Sequence, residues 1–141
     1  MPSLAVLFIR TAMLSLLGGT LLGAFLLAGE PAIVLGFRPL HVELLLVGWG
    51  LQLAFGVAYW ILPKHATRTP ARGAALPIRL AWWLLNGGVW VAGLGLSFGT
   101  PPWWVGLGRL SELCAVILVA SNAWPRIKPF GAGRPQAGEV A

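Results

Sequence analysis

Few residues in this chain can carry chemistry: two histidines, four glutamates, no aspartate and one cysteine among 141 residues. His41 stands at the entry to a long apolar stretch. An imidazole there is either a metal ligand or an interfacial ring bonded to a headgroup, and spacing alone leaves both open. Gly48, Gln52, Phe55 and Tyr59 follow His41 at intervals of seven, four, three and four, which places all five on one helical face. On that face Gly48 leaves room beside His41 for a flat group or a second backbone. Glu43 points away from His41 and can snorkel outward or pair with Arg38 or Arg109. Arg109 and Glu112 are spaced i,i+3 and can pair with each other. Equally, Arg38 and Arg109 are cations placed to hold an anionic group at one mouth of the protein.

The remaining polar positions read as packing. Asn86, Trp90, Gly93 and Ser97 share a face, with Asn86 as a hydrogen-bonding link between helices. Ser15, Gly19 and Gly23 form a small-residue ridge that predicts close helix contact, within a bundle or across a dimer. Cys114 reads as a small buried apolar residue, and His65, beside Lys64, as a solvated loop residue. Several reaction classes lack their apparatus. The sequence holds no HExxH, CxxC, phosphate loop, paired carboxylates or credible Ser-His-Asp set. One cysteine excludes an intramolecular disulfide. A net charge of +6 comes from bases at the ends of apolar runs, with no basic face that would suit nucleic acid.

The elements that must position these residues follow from composition. Apolar residues make up 57% of the chain and charged ones 10%, too few to solvate a soluble globule. About 20 apolar residues cross a bilayer, and four such runs are present: Leu4 to Leu27, Gly36 to Leu62, Pro77 to Phe98 and Trp103 to Trp124. The first also has features of a cleavable signal peptide, but it is longer than the usual apolar core of one and reads as a retained span. Tight Gly- and Pro-rich connections predict an all-α, integral membrane, up-and-down four-helix bundle. It occupies residues 1–124, followed by a flexible cytoplasmic tail at 125–141. Lys64, Arg68, Arg72 and Arg79 mark the second connection, and Arg126, Lys128 and Arg134 the tail. Both therefore lie on the cytoplasmic side, with both termini inside, in the cell's inner membrane.

The stretch Phe37-Arg38-Pro39-Leu40-His41, continuing to Gly56-Val57-Ala58-Tyr59-Trp60-Ile61-Leu62-Pro63, resembles the second helix of subunit I in the haem–copper oxidase superfamily. The similarity is greatest to the nitric oxide reductase large subunits and C-family oxidases, and it extends through Leu85-Asn86-Gly87-Gly88-Val89 to about Gly95. In that family the matching histidine binds a low-spin haem near the outer membrane face, which is where loop charge places His41. The resemblance implies haem b on His41, the chain's metal ligand, with Arg38 and Arg109 facing propionates and Gly48 and Phe55 against the ring. The family's subunit has about twelve helices, and its other haem and metal ligands lie on late ones. It therefore does not lend this chain a complete oxidase or reductase activity. The expected role is a small b-type cytochrome for electron transfer or for haem or gas binding. A second copy of the chain supplies the other axial His41 in the most economical arrangement. The competing expectation is a cofactor-free accessory or assembly subunit among respiratory-complex partners.

Overall fold

The computed structural model describes residues 1–29, 31–64 and 72–127, with the backbone alone for 31–34. His65, Arg68, Lys128 and Arg134 lie outside the described residues, as does nearly all of the expected tail. The described chain is all-helical. It runs α1 (Ser3–Ala28), α2 (Pro31–Glu43), a π-helical segment (Leu44–Leu51), α3 (Gln52–Ile61), α4 (Ala75–Ser97), α5 (Pro102–Ala123) and a 3₁₀ turn at Trp124–Arg126. The segments from α2 through α3 form one continuous second span, so four helices are long and apolar enough to cross a membrane. This is a multi-pass membrane protein, and the expected four-helix architecture holds.

Local sequence explains the joints. α4 closes at Gly99, whose φ of 62° is a left-handed conformation that glycine adopts without steric cost. The amide of Thr100 bonds Gly95 O at 2.9 Å across this cap, the long-range bond of a Schellman ending. Pro102 then opens α5, where a missing N–H costs nothing. The second span starts at Pro31, five residues before the Gly36 start read from sequence, and continues through Pro39. The π segment is marked by the Gln52 amide bonding Val47 O, a wider turn than the α-helix makes.

The second span and α4 form the centre of the bundle. α1 packs along the second span, and α5 packs along α4. Leu4, Phe8, Tyr59, Ile78, Leu85 and Val119 build a core in one half. Leu40, Leu44 and Val89 build a smaller one in the other. Phe37 meets Phe98 edge-on at 5.7 Å where the second span begins and α4 ends, as antiparallel neighbours require.

Candidate functional site

His41 lies against α1. Its Nδ1 is 2.8 Å from Gly19 O. Only the protonated Nδ1 can donate to a carbonyl, so this contact fixes the tautomer and leaves the lone pair on Nε2. Nε2 has no hydrogen-bond partner among the described residues and is not enclosed. The ring lies over Gly23, where an added Cβ would stand 2.5 Å from its Cε1. The small-residue ridge on α1 therefore packs within the bundle. Gly23 admits the imidazole, Gly19 admits Leu45, and Ser15 stands against Gly48.

Arg38, one helical turn before His41, is exposed on the same side. Together with Thr20, Gly23, Leu26 and Leu27 the two residues line a groove of about 520 Å³ between α1 and α2. The walls are mostly apolar, with one cation at the edge and one fixed imidazole. Such a surface can hold a flat apolar body with anionic substituents, or a metal through a single nitrogen. Among the described residues no group of three or more His, Cys, Asp or Glu side chains could enclose a bare ion.

The other expected site residues lie elsewhere. A Cβ added at Gly48 would stand 3.0 Å from Ser15 Oγ and 3.5 Å from Val89, so the clearance beside His41 comes from Gly23 on the neighbouring helix. Phe55 packs with Phe8 and Tyr59 in the opposite half. The fourteen-position offset from His41 spans roughly 20 Å of helix. Arg109 is occupied. Its Nη1 donates to Glu43 Oε1 and to Glu112 Oε2, both at 2.8 Å, and its Nη2 to Glu43 Oε2 at 2.7 Å. That guanidinium holds the second span to α5 and is not part of the His41 groove.

The glycines around this ion triad explain how two acids enter the bundle. A Cβ on Gly88 would lie 2.6 Å from Glu112 Cγ, and one on Gly93 would lie 3.4 Å from Glu43 Cβ. α4 thus opens a slot for Glu112 at Gly88, where Gly108 O also lies 2.8 Å from the added Cβ, while at Gly93 it makes room for Leu40, whose Cδ1 would stand 2.7 Å away, with Glu43 in contact beside it. The sequence offered both acids and the Arg109–Glu112 spacing, but gave no sign that Gly88 and Gly93 face them from different helices. Asn86 does not link helices, because its Nδ2 donates to Trp82 O of its own helix at 2.8 Å.

Arg126, assigned from sequence to a flexible tail, is built into the bundle at 1% exposure. Its guanidinium donates to Tyr59 O, Leu62 O, Pro63 O and Asn122 Oδ1 at 2.9–3.1 Å. It also lies 5.4 Å from the Tyr59 ring centre. The signal for this was a C-terminal helix end needing donors for its last carbonyls, but the donor comes from a segment 63 residues or more away. Cys114 is half-buried on a shallow apolar groove between α4 and α5, lined also by Leu84, Val91 and Leu107.

Among known proteins, no family model, no curated sequence and no solved structure matches this chain.

Proposed function

We propose that this protein is a small membrane haem protein of the b type, with His41 Nε2 as the axial ligand. The observation that carries the reading is the His41 ring tethered through Nδ1 to Gly19 O at 2.8 Å. Metal-ligating histidines commonly donate their other N–H to a carbonyl, which sets the tautomer and orients the ring. The groove suits the group by its chemistry: Leu26 and Leu27 offer apolar contact, and Arg38 offers a cation for carboxylates. Its volume falls within the usual range for small-molecule sites.

When bound, haem supplies one-electron chemistry or a gas-binding iron, and its surroundings tune which. The chain's own residues hold the imidazole, fix its proton on Nδ1, neutralise propionates through Arg38 and keep the groove apolar. Gly48, Phe55 and Arg109 take no part in this reading. A second copy of the chain related by a two-fold axis would hold the same haem through its own His41, since two-fold dimers are the commonest assembly. By the positive-inside rule, the bases of the second connection favour a reading with both termini on the cytoplasmic side of the inner membrane.

The test is a reduced-minus-oxidised visible spectrum of detergent-purified protein, with haem and protein quantified together. A low-spin b-type signal at one haem per two chains is expected. His41→Ala should abolish it while the helical circular dichroism persists. An unchanged spectrum in His41→Ala would overturn the ligand assignment. Absence of haem after reconstitution would overturn the whole reading and leave an accessory subunit of a respiratory complex in its place.

A further inference from the structure

A second cleft lies between α1 and α4, whose backbones come close at few points. It is about 250 Å³ and is lined by Thr11, Leu14, Ser15, Leu44, Asn86 and Trp90. Ser15 is roughly 18 Å into a helix about 39 Å long, so the cleft sits near mid-bilayer, well below the headgroups.

Polar side chains facing hydrocarbon are costly unless something bonds them. Here several have spare capacity. Ser15 and Asn86 are half-buried and Trp90 is exposed at the cleft, so their polar atoms are open to whatever fills it. The Asn86 amide is oriented by its Nδ2 bond to Trp82 O, which leaves Oδ1 as a free acceptor. Behind them, Thr11 Oγ1 is taken up by Trp82 Nε1 at 3.0 Å, by the Gln52 amide and by Leu7 O at 2.9 Å. Gln52 is fully buried, and its Oε1 is unpaired. No ionisable group lines the cleft. That disfavours a phosphate or a carboxylate and favours an uncharged occupant. A cavity of about 150 Å³ holds benzene, so the cleft takes a substituted ring. Half-exposed Trp90 and exposed Leu14 stand at its edge, where a lipid-soluble molecule would enter.

We infer that this cleft binds the head of an uncharged, lipid-soluble ring carrying carbonyl or hydroxyl oxygens, the chemistry of a quinone or quinol. Trp90 Nε1–H and Ser15 O–H donate to carbonyl oxygens. Asn86 Oδ1 accepts from a hydroxyl, so the same residues serve the oxidised and reduced forms. The inference uses none of the residues of the His41 groove and does not depend on haem.

The experiment is equilibrium dialysis of 2-methyl-1,4-naphthoquinone into phosphatidylcholine liposomes with and without the protein. Saturable excess binding near one molecule per chain is expected. Asn86→Leu should weaken it about tenfold and Trp90→Phe about fivefold, as loss of one hydrogen bond each predicts. His41→Ala should leave it unchanged. Should Asn86→Leu not fold, Trp90→Phe and Ser15→Ala carry the test, because both keep the helix surface nearly the same. Non-saturable uptake equal to that of empty liposomes would overturn the proposal. So would binding lost in His41→Ala but kept in the cleft variants.

Discussion

Gly23 decides where the His41 ring sits. A methyl group there would stand 2.5 Å from Cε1 and 3.0 Å from Nδ1, closer than carbon and nitrogen tolerate. The ring is not the free end of a long chain and can relieve the clash only by turning about its own bonds or by pushing α1 away. Gly23→Ala should therefore break the bond to Gly19 O, releasing the tautomer along with the orientation. Under the haem reading the expected result is at least a tenfold loss of haem affinity. Overpacking adds about 1–3 kcal/mol of destabilisation. Gly18 supplies the control. It is five residues earlier on the same helix, it has no atom within 4 Å of an added Cβ, and Gly18→Ala should change neither spectrum nor melting. Equal effects from the two substitutions would show that glycine flexibility in α1, and not clearance for the imidazole, is what matters.

Between elements, the joint that most needs side-chain donors is the end of α3. Pro63 has no N–H to give Tyr59 O, and one guanidinium meets Tyr59 O, Leu62 O and Pro63 O together. Arg126→Met keeps much of the side-chain volume and removes every donor. Buried acceptors left without partners cost about 1–3 kcal/mol each when water cannot reach them. At a helix end some water does reach them, so a total loss of about 3 kcal/mol is expected, read from unfolding in mixed detergent micelles. Arg126→Lys should recover only part, because an ammonium has three donors on one atom and cannot span the fork. A wild-type midpoint in Arg126→Met would refute the clamp.

The contrast between this joint and the spans shows what was legible in the sequence. Span length is a one-dimensional property, and the ends of α1, α4 and α5 fall within two residues of the apolar runs. The face holding His41, Gly48 and Gln52 could be read as well, since all three meet α1. What that face meets could not be read, because Gly23, Gly88 and Gly93 act on side chains of other helices. The π segment also intervenes, and no residue pattern around Gly48 and Gly50 announced it. Arg126 was misassigned for a related reason: charge next to a proline looks like a tail until its acceptors are known.

For the whole molecule, two clamps join one half of the bundle, α1 with the second span, to the other, α4 with α5. One is Arg126 at the end where α3 and α5 finish. The other is the Glu43–Arg109–Glu112 triad, in which Glu43 is 5% exposed and Arg109 reaches out at 44%. Arg109→Leu leaves two carboxylates facing each other without a cation. Breaking a buried ion pair costs about 3–5 kcal/mol, and the exposure of Arg109 places the expectation near the lower end. Changing all three residues to glutamine should restore most of the loss, since the damage comes from stranded charge and not from absent attraction. The fourteen-position offset from Glu112 to Arg126 amounts to roughly 21 Å along α5 and the turn that follows it, too far for direct coupling. If the halves are held as rigid units, Arg109→Leu with Arg126→Met should therefore sum the two single losses to within about 0.5 kcal/mol. A double variant no less stable than the worse single one would mean that losing either clamp already lets the halves part. The two apolar cores shared by the halves, one around Phe8, Tyr59 and Leu85 and one around Leu40, Leu44 and Val89, would then be too weak to hold them alone.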